Sequence, residues 1–254
     1  MTHPSEAGRY YFPDGKPAYE VQGAKGMVKP DIRHAKKLGL VPSVTTIIAE
    51  AAKPGLEHWK IQQGILAALT LPKIEGEPLD AFAERAMRDS KEQAKKAAEK
   101  GTAIHAAIQD YYETCMLQGE GVDDYVVATV EAVRTKYGSL EWRPEQSFAS
   151  NGFGGKVDLN AVLGVGHCGY VLDFKSKEFA DTEKKLAWDE HCIQLSAYRE
   201  GLGIPKAKCA NVFVSVNNPG LVHIHEWTED ELQRGWSMFQ ALLSYWQART
   251  AHKP

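Results

Sequence analysis

Two short segments place acidic and basic side chains two residues apart on strand-like runs. "GGKVD" carries Lys156 and Asp158, and "LDFK" carries Asp173 and Lys175. Residues two apart on a strand share a face, so each pair sets a carboxylate beside an ammonium. Glu145, in "PEQSF", adds a third carboxylate. Carboxylates facing one another across strands repel, and a solvated face gains nothing by aligning them. A divalent cation converts that repulsion into coordination, because Mg²⁺ and Mn²⁺ take clustered carboxylate oxygens. A lysine beside such an ion can hold or deprotonate an attacking water. The bland alternative is a solvated sheet face laced with cross-strand ion pairs.

The elements that must position these groups are hairpins. Asn151-Gly152 is a strong turn signal, since a type I′ turn needs positive φ at both central residues. With those two as the loop, Glu145 faces Asp158. With Val165-Gly166 as the loop of "GVGH", Asp158 faces Asp173 and Lys156 faces Lys175. Three carboxylates then lie in a row across neighbouring strands, with two lysines beside them. This register gives a polar face of Glu145, Ser147, Lys156, Asp158, Asn160, Asp173 and Lys175. The opposite, core face carries Phe148, Val157, Leu159, Ala161, Tyr170, Leu172 and Phe174. A slip of one residue would drive charges into that core.

Tyr10–Phe12 and Ala18–Val21, flanking "PDGK", read as a small hairpin. Helices are expected over "PSVTTIIAEA", over "KPGLEHWKIQQGILAALTL", and from about Leu79 to Cys115 with a break near Gly101. Strands are expected at Glu145–Ala149, Lys156–Leu163, Tyr170–Lys175, Cys209–Val216 and Leu221–Trp227. A helix from about Thr182 to Glu200 follows the third of them. The last helix opens on a Thr228/Glu231 capping box and runs to about Arg249. The order predicts an α+β fold, with a helical N-terminal region and a mainly antiparallel central sheet flanked by helices. A single domain over 1–254 is expected, with 1–78 as hairpin and helices and 79–254 as the core.

At 254 residues, with 43% hydrophobic and 25% charged residues, the composition is that of a globular protein. The formal charge of −3 rules out a uniformly basic coat for nucleic acid and leaves room for a local basic groove. No apolar run approaches the roughly 20 residues that span a bilayer. The N-terminus lacks the order of a signal peptide, so a cytoplasmic location is expected. Cys115, Cys168, Cys192 and Cys209 lie far apart without a CxxC pair, as reduced thiols would; a zinc or iron–sulfur site is the weaker alternative.

"GTAIH", "PEQSF", "GGKVD", "LDFK" and "QLSAY" follow one another in helix, strand, strand, strand and helix contexts over residues 101–198. Together they resemble the PD-(D/E)XK nuclease superfamily, and within it the RecB-type exonuclease branch with its phage-encoded and mitochondrial members. The resemblance implies a restriction-endonuclease-like core. It implies that Asp158 and Asp173 ligate a metal with the backbone carbonyl of Phe174, and that His105 is a further ligand. Lys175 would be the catalytic lysine and Glu145 an acidic residue supporting the metal or its water. Gln194 and Tyr198 would line the site, contacting DNA or supporting the lysine. Spacing agrees for two of these elements: Gly101 and His105 are one helical turn apart, as are Gln194 and Tyr198. The bland reading of His105 is a satisfied core histidine.

"LVPSVTTII" is similar to the N-terminal segment of the phage and mitochondrial members, where small hydroxyls approach the DNA backbone. Ser43 and Thr45 would take that role, with Lys53, Trp59, Lys60 and Lys156 extending the DNA surface and Trp59 offering a stacking platform. The plain alternatives are Ser43 as an N-cap and Trp59 as a core residue. Members with an iron–sulfur cluster place one Cys before the GxxxH helix and several after QxxxY. Here nothing precedes Cys115 and only Cys209 follows Tyr198, so no cluster is expected. No GxxxxGK[ST] phosphate loop is present, so ATP-driven unwinding would belong to another protein.

The expected function is a DNA nuclease using one or two Mg²⁺ or Mn²⁺ ions, an exonuclease rather than an endonuclease. It would be of phage or prophage type, acting in DNA recombination, repair or processing in a bacterial host cell. Its partners would be single- or double-stranded DNA and phage or host recombination or replication proteins. The alternatives are an inactive nucleic-acid-binding module on the same fold and a scaffold protein whose charged face serves a partner.

Overall fold

The computed structural model describes residues 9–52, 54–117, 121–164, 168–180 and 185–254. The elements in chain order are β1 (Tyr10–Tyr11), β2 (Val21–Gly23), β3 (Gly26–Val28), α1 (Ile32–Leu38), β4 (Val41–Pro42) and α2 (Val44–Ile48). Then come α3 (Pro54–Thr70), α4 (Leu79–Thr114) and α5 (Asp123–Tyr137). The last part holds β5 (Arg143–Ser150), β6 (Phe153–Leu163), β7 (Cys168–Lys177), α6 (Asp189–Gly201), β8 (Lys208–Ser215), β9 (Val222–Glu226) and α7 (Glu229–Thr250). The fold is mixed α/β around a five-stranded sheet of order β5-β6-β7-β8-β9. β7 and β8 run parallel and the other neighbours antiparallel. α6 supplies the crossover that the parallel pair needs, because parallel neighbours cannot be joined by a tight turn.

Asn151 and Gly152 take φ of 53° and 82°, the two left-handed residues of a type I′ turn. They hold β5 and β6 in the expected register, from Arg143↔Asn160 to Ser150↔Phe153. Glu145 alone leaves this ladder: its φ is 54°, and it lies between the Pro144↔Leu159 and Gln146↔Val157 pairs. The expected turn at Val165-Gly166 lies outside the described residues. The strands it joins nevertheless pair from Leu163↔Cys168 to Leu159↔Leu172, again as expected. There the backbone ladder between β6 and β7 stops. Lys156 and Lys175 therefore do not face each other. Lys156 pairs with Ser147, and Lys175 with Phe213 on β8.

The sheet is covered on both faces, and this corrects the expectation of one polar and one core face. Phe148, Val157 and Val171 pack with Val44, Ile47, Leu195, Tyr198 and Phe239 from α2, α6 and α7. Leu159, Leu172, Phe174 and Val212 pack with Ile104, Ile108, Val126 and Val133 from α4 and α5. β6 thus changes the cluster it feeds at Asp158, between Val157 and Leu159, opposite the left-handed Glu145. Asn160 and Asp173, assigned to a polar face, are each only 1% exposed.

Two compact units emerge, one of Met1–Ala51 with Ile104–Pro254 and one of Ala52–Ala103. In the smaller unit Arg85 donates to Glu77 at 2.9 and 2.7 Å and to the carbonyl of Pro72 at 2.9 Å, tying α4 to the loop after α3. α4 continues through Gly101, where a break was expected; a lone glycine costs a helix only about 1 kcal/mol. α6 begins at Asp189 rather than near Thr182. Residues 185–188 are extended or irregular, and the first part of the expected span lies outside the described residues. α1, with its Asp31 cap and Gly39 at φ 64°, and α5 were not anticipated.

Candidate active site

The site forms where β7 loses β6. Beyond Leu159↔Leu172 the amide of Phe174 has no strand carbonyl on that side. It donates instead to Oδ2 of Asp158 at 2.8 Å, which satisfies a buried donor that would otherwise be costly. The same oxygen lies 3.0 Å from Nε2 of His105, on α4. His105 makes an edge-on contact with Phe174, whose ring in turn stacks on Tyr112, two turns further along α4. His105 thus meets a carboxylate on one side and an aromatic ring on the other.

On its other edge β7 stays paired with β8 through Lys177. Lys175 Nζ donates to Asp173 Oδ1 at 2.8 Å, and Asn211 Nδ2 donates to Asp173 Oδ2 at 2.8 Å. Lys156 and Glu145 form an ion pair across β5 and β6. On α6, Gln194 Nε2 donates to the phenol oxygen of Tyr198 at 2.8 Å, which leaves the phenol's own proton free to donate. The two glycines of "GGKVD" allow this approach. A Cβ on Gly155 would come within 2.9 Å of Tyr198 and Phe148, and one on Gly154 within 2.8 Å of Tyr11.

Electrostatics binds these pairs into one cluster. Burial alone would raise the Asp158 carboxyl, but His105, Lys175 and the Phe174 amide together hold it below the usual carboxylate range. Asp173 goes the other way: burial and the neighbouring Asp158 charge raise it despite Lys175. Burial opposes the charged form of Lys175, yet Asp173 and Asp158 outweigh it and the ammonium is held above its ordinary value. His105 is likewise raised against burial by Asp158, with Glu145 and Asp173 adding to the effect. Burial, Asp173 and Asp158 keep the Tyr198 phenol protonated.

His105, Glu145, Lys156, Asp158, Asp173, Phe174, Lys175, Gln194 and Tyr198 are therefore brought together. The DNA-contact assignments fare differently. Ser43 is buried, and its hydroxyl caps α2 by accepting from the Thr46 amide at 3.0 Å. Thr45 is exposed, with its hydroxyl 3.0 Å from that of Ser43. Trp59 is 45% exposed rather than core and belongs to the smaller unit, where Lys60 pairs with Glu57 at 2.7 Å. Lys53 lies outside the described residues. Cys115, Cys168, Cys192 and Cys209 are all free thiols.

Two participants escaped the sequence. Asn211 sits in the apolar run "CANVFV", where a lone amide was the available signal. Tyr11 carries a buried phenol without a hydrogen-bond partner among the described residues, pushed up by burial and, to a smaller degree, by Tyr19 and Glu145. The donors suit Mg²⁺ or Mn²⁺ in kind, with carboxylate oxygens in excess and one imidazole. Among the described residues, however, no three His, Cys, Asp or Glu side chains are grouped closely enough to hold a metal ion. Asp158 is in contact with His105, while Asp173 is engaged by Lys175 and Asn211.

No protein-family model matches the chain, and no curated protein matches it. Among solved structures, one titled "Crystal structure of SSO0001" matches at 12% identity over 74% of this chain and 86% of its own, with a TM-score of 0.30. A likeness that slight carries no argument about fold or function.

Proposed function

We propose that the chain is a divalent-metal-dependent DNA nuclease with a restriction-endonuclease-like core, an exonuclease of phage or prophage type. The observation that carries this reading is the pair Asp158 and Asp173, buried where β6 and β7 part, with Lys175 against the second. Burying two like charges side by side is costly, and a role in binding a cation gives that cost a purpose. His105, Asp158, Asp173 and the carbonyl of Phe174 would hold Mg²⁺ or Mn²⁺. Such an ion, when bound, neutralises phosphate oxygens and acidifies a water.

The remaining chemistry belongs to the chain's own groups. Lys175, kept protonated, serves as a fixed cation rather than a base: it orients the attacking water and offsets charge developing on the phosphate. Asp173 holds that ammonium in place. Tyr198, its oxygen already taken by Gln194, can donate its proton to a phosphate oxygen. Glu145 and Lys156 neutralise each other across β5 and β6.

The test is cleavage of end-labelled single- and double-stranded DNA with Mn²⁺, Mg²⁺ or EDTA. Metal-dependent cleavage is expected in the wild type, with a loss of about 10²–10³-fold in kcat for Lys175→Ala and a larger loss for Asp173→Ala. Full activity in either variant overturns the assignment. The second reading is a DNA-binding module without catalysis on the same fold. It predicts DNA binding with no cleavage under any metal.

A further inference from the structure

Resting on the nuclease reading, we infer that Asn211 is a positioning residue. With Trp227 behind it, it fixes the carboxylate of Asp173 in the orientation that receives a divalent cation.

Asp173, Asn211 and His225 are register partners across β7, β8 and β9, so their side chains share one face of the sheet. Asn211 is completely buried in a strand of Val, Phe, Ala and Cys. An amide there is costly unless both ends are bonded, and both are. Its Nδ2 donates to Asp173 Oδ2 at 2.8 Å, and its Oδ1 accepts from Trp227 Nε1 at 2.8 Å. The indole N–H is a donor only, so it settles which way the amide points. The carbonyl must face Trp227 and the NH₂ must face Asp173; a flipped amide would set donor against donor at one end and acceptor against acceptor at the other. Trp227 is itself braced edge-on by His225, with ring centroids 4.5 Å apart.

Asp173 is thereby held from two sides, by Lys175 on its own strand and by Asn211 on the next. Lys175 reaches Asp173 from a side chain that is 28% exposed, whereas Asn211 is completely buried and fixed at both ends, by Asp173 and by Trp227. The rigid half of the clamp is therefore the amide. Partners of this kind, one shell out from a ligand, set its orientation and change metal affinity by about 10–100-fold when removed. A role limited to satisfying buried polar groups would change stability and leave metal affinity alone.

The experiment uses the full chain, Mn²⁺ alone as the titrant in calorimetry, thermal unfolding, and steady-state cleavage of labelled DNA. Asn211→Leu keeps the size and removes the hydrogen bonds. Trp227→Phe keeps an aromatic ring beside His225 and removes the donor that orients the amide. The Kd for Mn²⁺ is expected to rise about 10–100-fold in Asn211→Leu and less, in the same direction, in Trp227→Phe, with kcat reduced and KM for DNA unchanged. If Asn211→Leu does not fold, Trp227→Phe decides alone. Wild-type Mn²⁺ affinity in the folded variants overturns the inference while leaving the nuclease reading intact. A wild type that neither binds Mn²⁺ nor cleaves DNA overturns both.

Discussion

Tyr198 is the residue whose chemistry is most sharply set by its neighbours. Its oxygen accepts from Gln194 at 2.8 Å, and burial with Asp173 and Asp158 nearby keeps the phenol protonated. On the proposed nuclease reading, the proton it keeps serves a phosphate oxygen. Tyr198→Phe removes that donor and leaves the Gln194 amide short of an acceptor. The expected stability loss is about 1 kcal/mol, and the expected fall in kcat is about 10-fold or more. Thermal unfolding and steady-state cleavage, measured on one preparation, check both. A variant with lowered Tm and unchanged kcat would make Tyr198 a packing residue only. At this scale the sequence was informative wherever spacing alone sets who meets whom, as with Gln194 and Tyr198 one turn apart. It could not reveal that Asp158 would take the Phe174 amide, because that depends on two strands parting.

Between elements, a buried arginine ties α6 to the start of α7. Arg199, 2% exposed, donates to Glu229 at 2.8 and 3.0 Å and reaches the carbonyl of Ala207 at 3.5 Å. The bidentate geometry is that of a strong guanidinium–carboxylate pair. The hydrogen bonds from Arg199 hold the Glu229 carboxyl below its usual range. A folded-state pKa below the unfolded one gives stability that is present above the unfolded value, about 4.3, and is lost as pH falls through the folded value. Glu229→Gln should therefore be less stable than wild type at pH 7, by about 1–2 kcal/mol once solvent screening of the half-exposed carboxylate is allowed for. The two proteins should converge in Tm as pH drops below about 4. A Tm gap that stays constant from pH 7 to about pH 3 would mean the carboxylate charge contributes nothing.

The element scale also shows how far a one-dimensional pattern reaches. The β5–β6 and β6–β7 registers were legible because Asn-Gly fixes a two-residue turn and alternation forbids a slip. The crossing of the sheet's two cores at Asp158 was not. It needs Glu145 in a left-handed backbone, which no carboxylate in a strand-like run announces. α1 was legible but overlooked, since Asp31, His34 and Gly39 are cap signals set in a Gly- and Lys-rich stretch. The parallel pairing of β7 with β8 uses α6 as its crossover, but the order strand, helix, strand does not by itself fix the direction.

For the whole molecule, the formal charge of −3 sets how a polyanion would arrive. A basic protein is steered toward DNA at long range, and its association slows steeply as salt screens the attraction. Here the two lysines of the cluster are neutralised locally: Lys156 pairs with Glu145 and Lys175 with Asp173. Long-range attraction is therefore weak or reversed, while short-range contacts to phosphates, once made, still release counterions. Salt should then act on the two rate constants differently. For Lys175→Ala binding labelled single-stranded DNA in EDTA, raising salt from about 50 to about 200 mM should leave kon flat or slightly higher, because screening relieves a net repulsion. Over the same range koff should rise, and that rise should account for the whole loss of affinity. Stopped-flow association at several salt concentrations separates the two. A kon that falls steeply across this range would require a strongly basic approach surface, and DNA would then be drawn in by charges remote from the cluster around Asp173.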